Sequence, residues 1–109
     1  MARLTAQEII ARLGLKPLPS EGGYFAETYR GSAITAESKV SVGTAIYYLL
    51  DKDSYSALHV LPKDEVYHFY LGDPVDLHLL SPTGELEVIR LGSDLEKGRC
   101  PQATVPAGV

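Results

Sequence analysis

Between Tyr24 and Leu91 the chain is a succession of short segments rich in Tyr, Val, Ile and Leu, and no helical repeat separates them. Tyr24–Arg30, Val42–Leu50, Ser54–Leu61, Glu65–Leu71, Val75–Leu80 and Leu86–Leu91 have the length and side chains of strands, and Ala103–Val105 makes a shorter one. Asp51-Lys52-Asp53, Pro62-Lys63-Asp64, Gly72-Asp73-Pro74 and Pro82-Thr83-Gly84 supply the turn chemistry between them. Short strands at this spacing predict an all-β antiparallel sandwich or barrel. Only the first residues depart from it. Thr5 stands as an N-cap with Glu8 three residues on, Leu4 is placed to staple against Ile9, and Gly14 ends a short helix. Leu15 to Pro19 then reads as an extended connector, and Glu21-Gly22-Gly23 as a turn.

A length of 109 residues, 45% of them hydrophobic, suits one packed domain, with helix and connector over 1–20 and strands over 21–109. Ten Lys and Arg against fourteen Asp and Glu give a net charge of −4, and no basic tract collects the positive charge. Such a chain repels a phosphate backbone, which excludes nucleic acid as a partner. No apolar run approaches the roughly 20 residues of a membrane span. The first residues lack the apolar core of a signal peptide, so the expectation is a cytoplasmic protein without a membrane partner. The one cysteine, Cys100, has no partner for an internal disulfide.

Polar residues concentrate in Ala57 to Asp73, which holds two of the three histidines and Glu65 among strand-forming residues. On a two-residue period Tyr55, Ala57, His59 and Leu61 share one face, and Glu65, Tyr67, Phe69 and Leu71 share one face of the next strand. His59 and Glu65 are thereby expected to meet in a pocket with aromatic walls. An imidazole there serves as a general base or a metal ligand. The structural alternative is a core histidine satisfied by a hydroxyl such as that of Tyr55. Glu65, flanked by Val66, Tyr67 and Phe69, is costly to bury without a partner. His68 falls on the opposite strand face, toward a surface or interface. His78 shares a face with Asp76 and Leu80, where it reaches a pocket rim or is simply structural. Phe25, Glu27 and Tyr29 alternate onto one face of the first strand, an arrangement suited to a stacked base whose N–H or ribose hydroxyl meets the carboxylate, or equally to a cross-strand aromatic pair.

The spacing His59-x-Leu61, three residues, Glu65, six residues, Gly72 resembles the first motif of the cupin superfamily, His-x-His-x(3,4)-Glu-x(6)-Gly, with Leu61 at the second His and Asp53 at the opening Gly. Pro106-Ala107-Gly108 resembles the start of the second motif, Pro-x-Gly-x-x-His, whose His would fall beyond Val109. With Glu21–Arg30, Thr44–Leu50, Ser56–Pro74 and Val105–Val109 taken together, the chain is identified as resembling the cupin subfamily of unknown function, cupin family five. The resemblance implies a jelly-roll barrel with further strands after the second motif, so that these 109 residues would hold an incomplete barrel, and a homodimer in the complete form.

More distantly, Gly23-Tyr24-Phe25-Ala26-Glu27 is similar to the Arg-Gly-Phe-Phe-x-Glu segment of the dTDP-4-keto-6-deoxysugar epimerases, which helps bind the nucleotide. Phe25 takes the aromatic position, Glu27 the carboxylate and Gly22 the position of the Arg. Ser56-Ala57-Leu58-His59 is similar to the epimerase Arg-Gly-Leu-His, whose His is the proton-abstracting base. Cupin metal sites take three His and one Glu, and here Leu61 removes one ligand while another lies off the chain. The expectation is therefore no metal and no other cofactor, with His59 and Glu65 as the two candidate donors if one binds. The functional reading is a small-molecule binder, with a nucleotide or nucleotide-sugar as first ligand class. Its candidate catalytic residues are His59 and Glu65, and its ligand contacts Phe25, Glu27, Tyr29, Tyr67, Phe69 and His78. An epimerase using His59 as base and a metal-dependent oxygenase are the alternatives.

Overall fold

The computed structural model describes residues 3–37 and 39–109. One helix, α1 (Ala6–Leu13), precedes seven strands: β1 (Lys16–Pro17), β2 (Tyr24–Arg30), β3 (Thr44–Leu49), β4 (Glu65–His68), β5 (Val75–Leu80), β6 (Leu86–Leu91) and β7 (Gln102–Val105), with a 3-10 turn over Leu95–Lys97. All ladders between these strands are antiparallel. The described residues divide into two compact units, Met1–Leu58 and His59–Val109.

In the first unit α1 begins where the capping pattern places it. Thr5 Oγ1 accepts from the Glu8 N–H at 3.2 Å, the Thr5 N–H donates to Glu8 Oε1 at 3.4 Å, and Gly14 closes the helix at φ 66°. Part of the connector turns out to be a strand, since Lys16 and Pro17 pair with Phe25 and Tyr24 to give the sheet order β1-β2-β3. A two-residue strand containing proline leaves no alternating pattern to read. Between Glu27 and Tyr29 the β2–β3 register slips by one residue. Thr28 is the extra residue of this bulge, and its hydroxyl donates to the Ala45 carbonyl at 3.2 Å.

Beyond β2, Ser41 is buried at 6% exposure, and its Oγ lies 2.8 Å from the Gly31 carbonyl and 2.9 Å from that of Gly43. It also accepts the Gly43 N–H at 3.3 Å, closing the two ends of the 31–43 loop on one hydroxyl. Ser41→Ala should cost about 1 kcal/mol, because the Gly31 carbonyl and the Gly43 N–H lose their side-chain partner while the Gly43 carbonyl keeps the Gly31 N–H. Urea unfolding that shows no change in midpoint for this variant would refute it.

The expected strand Ser54–Leu61 forms no ladder among the described residues. A partly alternating burial pattern remains: His59 and Leu61 are half-buried and Val60 is 68% exposed. Strand character needs a neighbour to hydrogen-bond, and residue type alone does not supply one. Tyr55 is 76% exposed, so the expected common face with the half-buried Ala57 is not kept through the segment.

In the second unit β4 pairs with β7 and β5 with β6. The β5–β6 hairpin places Leu77 opposite Ile89, with Leu79 and Leu91 buried on the same side. Its other side carries Asp76 paired with Arg90 at 3.2 Å, and His78 opposite Val88.

Candidate functional site

The β4–β7 register fixes which side chains stand together. Glu65 faces Val105 and Tyr67 faces Ala103, whereas Val66 faces Thr104 and His68 faces Gln102. Paired residues of an antiparallel ladder share a side, so Glu65, Tyr67, Ala103 and Val105 form one face. Burial follows the same division. Ala103 is buried, Glu65, Tyr67 and Val105 are half-buried, and Val66, His68, Gln102 and Thr104 are exposed. Phe69 continues the inner face, half-buried, with its N–H donating to the Pro101 carbonyl at 2.8 Å. Leu71 leaves it, at 68% exposure.

Two contacts join the two sequence motifs. The Ala107 N–H donates to Asp64 Oδ1 at 2.8 Å, and the Gly108 N–H donates to the Leu61 carbonyl at 3.0 Å. Pro106-Ala107-Gly108 is thereby tied to the turn that separates His59 from Glu65. Sequence spacing alone did not mark Asp64 for this part. An Asp in a turn is usually assigned to its own backbone.

No other side chain pairs with the Glu65 carboxylate among the described residues. A half-buried anion beside Tyr67, on a face completed by Ala103 and Val105, is an acceptor directed at whatever occupies that face. His59 and Leu61 precede it in sequence, both half-buried. Among the described residues no three His, Cys, Asp or Glu side chains gather as a metal ion requires. With Leu61 apolar, His59 and Glu65 are two donors where zinc-type sites take at least three from the protein.

His78 lies on the solvent side of β5, because Leu77 and Leu79 take the buried side of a two-residue period. Phe25, Glu27 and Tyr29 do not share a face. Glu27 pairs with Ile46, but past the bulge Tyr29 pairs with Ala45, which puts the Tyr29 ring on the side opposite Phe25 and Glu27. The Glu27 carboxylate is engaged by Arg30, with Nη2 at 2.6 Å from Oε1 and Nε at 3.2 Å from Oε2. A bulge has no signature in an uninterrupted run such as Tyr-Phe-Ala-Glu-Thr-Tyr-Arg, so plain alternation misplaces every residue after it.

Gly22, expected from the epimerase resemblance to take the place of an arginine, is held at φ 95°, and a Cβ there would overlap the Tyr55 carbonyl oxygen. Tyr48 donates its hydroxyl to the Gly22 carbonyl, and the Ala57 N–H donates to Glu21 at 2.7 Å. The turn is packed for a residue without a side chain. Tyr48 is thus a structural anchor of this turn. On the outer side of β4, His68 and Tyr70 stack with centroids 6.4 Å apart, and Gln102 Nε2 donates to His68 Nδ1 at 3.2 Å.

An antiparallel all-β unit that ties a His-x-Leu-x(3)-Glu segment to a Pro-Ala-Gly turn has the plan of a cupin. The chain belongs to the cupin superfamily, in the family of unknown function DUF985, whose description matches residues 7–109. It is similar to a crystal structure of a protein from Shewanella oneidensis, with 33% identity and a TM-score of 0.90 over 97% of this chain and 66% of that one. A hypothetical protein from Leishmania major is similar at 34% identity and a TM-score of 0.85, over 96% of this chain and 66% of that one. The chain thus spans just under two thirds of both structures. None of the curated proteins matches it. Among the described residues no helix is long and apolar enough to cross a membrane.

Proposed function

We propose that this cupin domain binds a small polar ligand on the face formed by Glu65, Tyr67 and Phe69, with the ligand donating hydrogen bonds or positive charge to the Glu65 carboxylate. The single observation that carries the reading is that carboxylate: half-buried on an apolar face, it pairs with no other side chain among the described residues. Burying a charge without a partner is costly, and a donor-bearing ligand removes that cost. Tyr67 and Phe69 add aromatic area against which a small ring or alkyl group packs.

Amines, amides and polyols match this description. Nucleotide-sugars also carry donors, but the Glu27–Arg30 pair and the side-chain-free Gly22 take away contacts that the epimerase segment would lend them, and the displaced Tyr29 takes away the second aromatic plane of the expected base-stacking face. Binding rather than epimerisation is the reading favoured here. The test is a thermal-shift screen of small amines, polyols, keto acids, nucleotides and nucleotide-sugars. A ligand at 100 times its dissociation constant adds about 2.7 kcal/mol to stability, which moves the transition by roughly 10 °C in a domain of this size. The expected result is a shift from a compact donor-rich compound that Glu65→Gln reduces. A screen that moves nothing, or a shift indifferent to Glu65, would remove the proposal.

A further inference from the structure

We propose that the second unit carries a further binding site, a groove on the solvent side of β6 where Arg90, Lys97 and Arg99 hold the phosphate of a small aromatic phosphate monoester. The groove has a volume of about 420 Å³, and Val88, Gly98 and Cys100 line it together with the three cations. All of these residues belong to His59–Val109. Backbone pairing puts the cations together. Leu91 and Cys100 form a parallel bridge, the Cys100 N–H donates to the Arg90 carbonyl at 2.8 Å, and the Gly92 N–H donates to the Cys100 carbonyl at 3.0 Å. Arg90 and Arg99, each one residue before the bridge, therefore stand side by side. The Arg99 N–H donates to the Asp94 carbonyl at 3.1 Å, which folds the 3-10 turn back and brings Lys97 to the same groove.

Arg99 carries the argument. It is half-buried, and no carboxylate pairs with it among the described residues; its guanidinium donates from Nη1 to the Lys97 carbonyl at 3.3 Å. A guanidinium has five N–H donors, so most of them remain for a ligand. The stem of Arg99 crosses Gly92, where an added Cβ would lie 3.1 Å from Arg99 Cβ and 3.2 Å from Cγ. A buried residue without a side chain thus seats an arginine whose charge the protein does not neutralise. Partial desolvation of such a charge is costly until an anion meets it.

The charge distribution selects the same ligand. The chain has a net charge of −4, yet three of its ten Lys and Arg line this groove, and among the described residues no Asp or Glu does. Asp76 reaches Arg90 Nε at 3.2 Å and Asp94 reaches Lys97 Nζ at 4.0 Å, with all four side chains at least 49% exposed. Exposed pairs of this kind are weak and give way to a better acceptor. Two guanidinium forks and an ammonium are the donors that a phosphate dianion takes. A second groove, of about 570 Å³, shares Arg99 and Cys100 with the first and is walled by His68, Tyr70, Leu95 and Gln102. The stacked rings of His68 and Tyr70 and the 67% exposed Leu95 offer a ring-binding surface beside the phosphate position. This ligand is opposite in sign to the one that suits Glu65.

Phenyl phosphate is the probe, titrated into the nitrogen-15-labelled 109-residue chain and followed by amide shifts in NMR. The shifts should saturate and centre on Gly92, Gly98, Arg99 and Cys100, a readout that needs no variant, and phenol should produce none of them. Arg99→Gln should weaken binding about tenfold or more, the loss of a hydrogen bond to a charged group. Gly92→Ala, which keeps every charge but displaces the Arg99 stem, should weaken it severalfold. Lys52→Gln removes one cation from a turn of the first unit and should leave the affinity within twofold. Shifts scattered over cations across the whole surface, shifts equal with phenol, or no shifts would each overturn the proposal. So would affinity indifferent to Arg99 or to Gly92, or as sensitive to Lys52 as to Arg99. A chain extended to the length of its structural relatives should bind the probe at the same amides, and loss of binding there would also overturn it.

Discussion

Gly22→Ala should destabilise the chain by on the order of 3 kcal/mol, the largest effect expected of any single methyl group added to it. Two causes act together. At φ 95° an L side chain occupies a region that costs roughly 1–3 kcal/mol for a residue other than glycine. The added Cβ would also overlap the Tyr55 carbonyl oxygen, a backbone atom that moves only if the segment following β3 moves with it. That segment is held through the Ala57 N–H to Glu21, and the turn itself through the Tyr48 hydroxyl and the Gly22 N–H to Leu18. Gly72→Ala is the control, because φ is 99° there and a Cβ would meet no atom within 4 Å. It should show the conformational cost alone, about 1 kcal/mol. Equal unfolding midpoints for the two variants would mean that the turn yields freely, and the steric account of Gly22 would fail. An arginine at this position should destabilise at least as much as alanine, without creating a phosphate contact.

Much of the fold was legible because its signals are local. The capping box at Thr5 and Glu8, the strand bounds at Tyr24–Arg30, Val75–Leu80 and Leu86–Leu91, and the glycines at the turns each follow from a few neighbouring residues. What was not legible depends on partners distant in sequence. Ser54–Leu61 has strand composition and no ladder, β1 is a strand only because Phe25 and Tyr24 lie beside it, and the Thr28 bulge is settled by how β2 fits against β3. The site divides the same way. The face shared by Glu65, Tyr67 and Phe69 follows from simple alternation over an unbulged strand, and the β4–β7 register places Glu65 and Tyr67 on one side. The Phe25, Glu27 and Tyr29 grouping used the same rule across a bulge and is not kept. The tie between the two cupin motifs, through Asp64 and Leu61, spans more than forty residues and has no local cue.

Glu65→Leu should make the unliganded chain more stable and the liganded one weaker, a combination that a purely structural carboxylate does not produce. Leucine on a half-buried face beside Tyr67, Ala103 and Val105 adds apolar contact and ends the partial desolvation of a charge, which together raise stability by about 1 kcal/mol. A ligand recognised through the carboxylate loses a charge-assisted hydrogen bond, about 1.5–3 kcal/mol, or roughly 10- to 150-fold in affinity. Glu65→Gln keeps the shape and one acceptor oxygen, so it should fall between parent and leucine variant in affinity. Urea unfolding reads the first effect and titration calorimetry, with a compound found by thermal shift, reads the second. A leucine variant less stable than the parent would show that Glu65 holds the fold through a contact of its own. Affinity unchanged by leucine would place the ligand elsewhere. The opposed signs follow from one cause: a carboxylate kept on an apolar face costs stability in the empty protein, and recovers it only when a donor-bearing ligand is bound.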